Sequence, residues 1–106
     1  MSFINVANIE EREIVPGFLG KMVHSDNMTF VFWQIKIGSS LPEHSHPNEQ
    51  ITTVIKGTFE LTVDADTRIM ESGDVAIIPA NVKHKGKSIT NSNLIDAFYP
   101  VREDYR

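Results

Sequence analysis

There is no cysteine in these 106 residues. That removes disulfides, thiolate nucleophiles and every cysteine-ligated zinc site, so a metal held by this chain is held by nitrogen and oxygen. No apolar run approaches the roughly 18 residues that span a bilayer as a helix. The opening MSFINVANIEERE lacks the basic-then-apolar order of a secretory leader, which points to a cytoplasmic protein without a membrane partner. Positive charge is in the minority, ten Lys and Arg against fourteen Asp and Glu. No clustered basic face of the kind that phosphate backbones require is evident, so nucleic acid is not an expected partner either. Helical periodicity is also missing, because apolar residues never recur at its spacing over three turns.

What remains is a chain of short apolar stretches divided by turn residues. MTFVFWQIKI (Met28–Ile37) follows the turn signal Asp26-Asn27 and is apolar on both faces, with Met28, Phe30 and Phe32 one way and Val31, Trp33, Ile35 and Ile37 the other. Such a strand is expected between two layers or at a subunit contact, and a homodimer is the expected assembly. In TTVIKGTFELTVDADTRIM, corners fall at Lys56-Gly57 and Asp64-Ala65-Asp66, and Phe59, Leu61 and Val63 alternate with polar residues. Ser72–Asp74 makes another turn, VAIIP a short buried strand, and NLIDAFYP the last clear one. Roughly eight to ten short strands in a domain of this size mean an all-β sandwich or barrel. A single domain over residues 1–106 is expected, with its core over about 28–100 and the N-terminal strands and C-terminal tail packed on it.

Two of the four histidines stand close together in PEHSHPNEQ (Pro42–Gln50). His44 and His46 are two apart, so on a strand both rings leave one face and can meet at one ion. Gly38 lies six residues before His44, Gln50 four after His46, and Gly57 seven after Gln50. This framing resembles the first motif of the cupin superfamily, glycine, His-x-His, a carboxylate and glycine, with Gln50 at the usual Glu position. GDVAIIPANVKHKGKS resembles the second motif through Gly73, Pro79 and His84, with Asn81 in place of a glycine and Ser88 in place of an asparagine. Asn81 suits a glycine position because Asn reaches positive φ more readily than most residues.

The resemblance implies a cupin barrel, a jelly-roll or double-stranded β-helix, with one divalent metal held near its mouth by His44, His46, Gln50 and His84. Glu49 is the rival to Gln50 but faces the opposite way on an extended segment. Nickel, zinc, manganese, iron and copper all suit such donors. Three imidazoles and an amide leave the ion's charge uncompensated, which favours an anionic ligand.

The ending LIDAFYPVRED adds Asp96, Phe98, Pro100, Arg102, Glu103 and Asp104. With the His-His-Gln-His set, it resembles the KdgF family of small cupins. That resemblance implies conversion of the 4,5-unsaturated monouronates left by pectin and alginate lyases into linear, ketonised 4-deoxy-5-hexulosuronate. Asp96 would move the proton, Arg102 would bind the sugar carboxylate and Phe98 would wall the pocket. A salt bridge is the structural alternative for Asp96, since a carboxylate in an apolar strand needs a partner. His24 reads as a hydrogen-bonded or surface residue, Trp33 as core or interface, and Lys83 and Lys85 as solvated turn lysines. A metal-dependent dioxygenase and a non-catalytic sugar-acid binding module are the competing functions.

Overall fold

Thr29, Val31, Trp33 and Ile35 are buried while Phe30 and Gln34 between them are exposed, so the strand they form presents one face to the interior. The same alternation recurs in Ser92, Leu94, Asp96 and Phe98, all buried. Period-two burial of this kind is what a two-layered β-structure demands of its strands. The structure, a computed structural model, describes residues 2–106. Its strands are β1 (Arg12–Val15), β2 (Phe18–His24), β3 (Thr29–Ile35), β4 (Ser40–His44), β5 (Glu49–Lys56), β6 (Phe59–Val63), β7 (Asp66–Met70), β8 (Val75–Ile78), β9 (His84–Ser88) and β10 (Ser92–Tyr99).

They form two antiparallel sheets, a six-stranded one in the order β1-β2-β3-β10-β5-β8 and a four-stranded one in the order β4-β9-β6-β7. The core lies between them. Phe18, Val31, Trp33, Val54, Leu94 and Phe98 come from the larger sheet and Phe59, Leu61 and Met70 from the smaller. Phe18 meets Trp33 and Phe59 edge-on, with ring centroids 6.0 and 6.3 Å apart, and so ties the two layers together. This is the all-β, cupin-like jelly roll that the two motifs imply.

Two expectations about buried faces are corrected. Phe30 is 41% exposed and Met28 39%, so β3 is not buried on both sides within one chain; its second apolar face lies on the outside of the larger sheet. VAIIP is likewise not a buried strand, because only Ile78 of β8 is buried while Val75 and Ile77 point out of the same sheet. At the corners, Asp64 and Asn81 take φ values of 55° and 67°, and Gly57 takes 88°. Asn81 thus adopts the left-handed backbone expected for a residue at a glycine position, and its N–H donates to the His46 carbonyl at 2.8 Å.

Candidate metal centre

His44 closes β4 and His84 opens β9, and the two are direct partners across the antiparallel pair. Their ring centroids are 4.2 Å apart. His46 lies beyond the end of β4, in the loop to β5, so the strand spacing that suggested the pair is not what joins it. The loop turns the His46 ring back to within 4.9 Å of His84 and 5.8 Å of His44. Gln50, on the central part of the larger sheet between Phe98 and Ile78, is buried and faces inward, whereas Glu49 is exposed.

The imidazoles share one pattern. Nδ1 of His44 lies 2.8 Å from the Pro42 carbonyl, Nδ1 of His46 3.0 Å from that of Asn48, and Nδ1 of His84 2.9 Å from that of Val82. A carbonyl only accepts, so each Nδ1 carries a proton and a neutral ring is left with its lone pair on Nε2. Burial, with the Arg102 charge, holds His46 below the usual histidine range, and burial pushes His84 down to about 4. His46 and His84 are therefore held in their neutral forms, and one ligand atom from each of His44, His46 and His84 lies within 4.8 Å of the others. Nε2 of His84 is buried with no hydrogen-bond partner among the described residues. A buried acceptor without a donor is costly unless a cation meets it.

The fourth donor agrees. Oε1 of Gln50 lies 3.0 Å from Nε2 of His46, which places two lone pairs face to face. Two donors about 2.1 Å from a common ion and at right angles to it would stand about 3.0 Å apart. The donor set of His44, His46, His84 and Gln50 thus fits a divalent cation of the borderline type that takes nitrogen and oxygen.

Asp96 lies behind this centre. It is buried in the middle of β10, and its burial raises the carboxyl above the usual range. Among the described residues it makes no salt bridge, the alternative considered for it. Instead Trp33 Nε1 donates to Oδ2 at 2.8 Å and Thr52 Oγ1 donates to Oδ1 at 2.6 Å. Thr52 in turn accepts from Gln50 Nε2 at 2.8 Å. A space of about 40 Å³ lies among Gln50, Thr52, His84 and Asp96 on one side and Phe18, Trp33, Phe59 and Tyr105 on the other.

Beyond β10 the chain turns back toward the site. Arg102 is buried, with its guanidinium carbon 4.0 Å from the Tyr105 ring centroid and 4.9 Å from that of Phe98. Phe98 meets His46 edge-on at 5.5 Å. Arg102 does not present a free fork: Nε and Nη2 donate to the two carboxylate oxygens of Asp104 at 3.1 and 2.5 Å. That pairing holds the Asp104 carboxyl below the usual range.

The structure therefore gathers His44, His46, His84 and Gln50 at one point, with Asp96, Phe98 and Arg102 around it. Lys83 and Lys85 are both exposed, but only Lys83 lies in the turn; Lys85 is on β9, on the outer face of the smaller sheet. Three participants escaped sequence reasoning. Trp33 is core, as expected, but also holds Asp96; Thr52 links Asp96 to Gln50; and His24 clamps the C-terminal segment. The His24 ring lies 2.8 Å from Thr29 Oγ1 and 3.2 Å from the Tyr105 carbonyl. A threonine two residues beyond Gln50 on one strand, facing the same way, was the available signal for Thr52.

Comparison with known proteins agrees with this architecture. The family model for the cupin domain matches residues 31–95. The pectin degradation protein KdgF of Dickeya dadantii (strain 3937) is 31% identical over 96 residues, covering 88% of this chain and 87% of that one. The structure of KdgF from Halomonas sp. superposes with a TM-score of 0.93 at 26% identity, over 100% of this chain and 99% of that one. An RmlC-like cupin from Shewanella frigidimarina NCIMB 400 gives 0.94 at 27% identity, over 100% and 96%.

Proposed function

The chain belongs to the cupin domain family and is similar to KdgF, and from that premise we propose that it is a metal-dependent enzyme converting 4,5-unsaturated monouronates into linear, ketonised 4-deoxy-5-hexulosuronate. The observation that carries this reading is the buried, unpaired-by-charge Asp96 carboxylate beside three convergent imidazole lone pairs. His44, His46, His84 and Gln50 would hold the ion. When bound, it supplies a positive charge that polarises substrate oxygen.

In this reading Asp96 moves one proton. As a base it takes the proton of the anomeric hydroxyl while the bond from C1 to the ring oxygen breaks, leaving an aldehyde at C1 and an enolate at C5. It returns the same proton to C4 as the C5 ketone forms, so that the net change is an isomerisation. Desolvation raises its proton affinity toward the range useful for such a transfer. Arg102 would bind the sugar carboxylate by exchanging it for Asp104, whose side chain is 61% exposed and can move aside into water. Phe98 and Tyr105 hold the guanidinium by their ring faces and would exclude water from it.

Replacing Asp96 by Asn tests the assignment. The variant should keep its metal and its affinity for the substrate carboxylate while turnover falls by about a hundredfold or more. Full turnover in that variant would remove Asp96 from the chemistry. Binding of uronate without turnover by the native protein would favour a sugar-acid binding module, and oxygen uptake with the same metal would favour a dioxygenase. We read the uncovered apolar face of the larger sheet as the contact of a homodimer, and the cytoplasm as the place of action.

A further inference from the structure

Position 50 carries an amide where the general cupin motif has a carboxylate, and the hydrogen bonds behind it say why. Trp33 Nε1 is only a donor, so Asp96 Oδ2 accepts from it. With Asp96 ionised, Oδ1 also accepts, and the 2.6 Å contact from Thr52 must use the single Thr52 hydroxyl proton. Thr52 Oγ1 then has only lone pairs left to offer residue 50, at 2.8 Å. The atom of residue 50 that faces Thr52 must therefore be a donor, and an amide has one whereas an ionised carboxylate does not. Fixing Nε2 on Thr52 leaves Oε1 no direction but that of the imidazoles.

We propose that Thr52 is a positioning residue whose one proton sets the direction of the chain Trp33, Asp96, Thr52, Gln50, and that this chain, rather than the ion, requires glutamine at position 50. The proposal rests on the reading of Gln50 as a metal donor. It gives Thr52 a part in both halves of the site: it holds the proton-carrying Asp96 and aims the oxygen of Gln50. Reversal of the chain is its most specific consequence. With Asn in place of Asp96, Trp33 can donate to the new carbonyl oxygen while the new amide donates to Thr52. The Thr52 proton is then free to be given to a carboxylate at position 50.

The test is a double-mutant cycle on Gln50→Glu and Asp96→Asn. Its readouts are the melting temperature of the metal-free protein and the dissociation constant for nickel(II), measured by chelator competition. Each single variant should melt below the native protein, and the pair together should recover most of the loss. The gain in nickel affinity from Gln50→Glu should be about tenfold larger with Asn at 96 than with Asp, as one restored buried hydrogen bond requires. Repeating the cycle with Thr52→Val, or Thr52→Ala if the valine variant does not fold, should abolish this coupling, while Thr52→Ser should keep it. Additive effects of the two changes overturn the proposal. So does coupling that survives the loss of the Thr52 hydroxyl, which would mean simple repulsion between two carboxylates. Because turnover is not read, failure to process uronates would count against the proposed function and leave this result standing.

Discussion

A neutral imidazole has one lone pair, and when its other nitrogen is tied to a carbonyl that lone pair has a fixed direction. His44, His46 and His84 are tied in this way, and Nε2 of His84 has no hydrogen-bond partner among the described residues. His84→Ala is therefore expected to reduce metal content to near zero on elemental analysis while the fold, followed by circular dichroism, persists. The depressed histidines also set a pH dependence for the metal-free protein. Below about 6.5 the unfolded chain takes up protons that the folded His84 refuses until about 4, so these rings remove stability as pH falls through that window. Asp96 acts in the opposite sense, because its raised carboxyl takes its proton earlier when folded. Thermal melts of the metal-free protein at pH 7 and 5 should show a smaller drop for His84→Asn than for the native chain. The candidate ligands were legible in the sequence, since the resemblance to the two cupin motifs names His44, His46, Gln50 and His84 and the structure brings the four together. The partners of Asp96 were not, because Trp33 and Thr52 lie 63 and 44 residues from it along the chain and only strand pairing brings them together.

The strands carry this arrangement through close contacts. Gly20 on β2 sits opposite Trp33 on β3, and a Cβ there would lie 2.8 Å from the Trp33 ring. Gly20→Ala should therefore displace the ring that holds Asp96, costing about 1–3 kcal/mol in chemical denaturation and lowering turnover with metal content unchanged. The C-terminal segment is the second element that matters. It is tethered by Arg12 Nη1 and His24 to the Tyr105 carbonyl and by Asn48 Nδ2 to the Pro100 carbonyl. His24→Ala is expected to raise KM more than it lowers kcat, because it loosens the segment bearing Arg102 without touching the metal ligands. Alternation along β6 was readable from residue type, because Phe59, Leu61 and Val63 alternate with Glu60 and Thr62; along β10 it was not, because Ser92 and Asp96 share the buried face with Leu94 and Phe98. For β3 and β8 it did not give burial within one chain: both faces are apolar, yet Phe30, Val75 and Ile77 stand exposed on the outside of the larger sheet.

At the scale of the molecule, the two sheets differ on their outer faces. Val23, Phe30, Ala97, Ile51 and Ile77 form a continuous row across five strands of the larger sheet. The smaller sheet is mostly polar there, presenting Lys85, Lys87, Glu60, Thr62 and Thr67 with Ile69 exposed beside Glu60. An exposed apolar row of this extent marks a contact surface, and a flat sheet face can pack on its own copy about a twofold axis. Light scattering should accordingly give the mass of two chains, and Ile51→Lys the mass of one with its metal retained. No helix among the described residues is long and apolar enough to cross a membrane. The proposed function requires metal-dependent turnover. Its most direct test is the ultraviolet absorbance of the conjugated double bond in an unsaturated galacturonate, followed with protein stripped of metal and then reloaded. Absorbance lost only after reloading, with the ketonised product seen by NMR and no oxygen consumed, is the predicted result. An absorbance that decays no faster than in buffer, with the site fully loaded, would contradict the account.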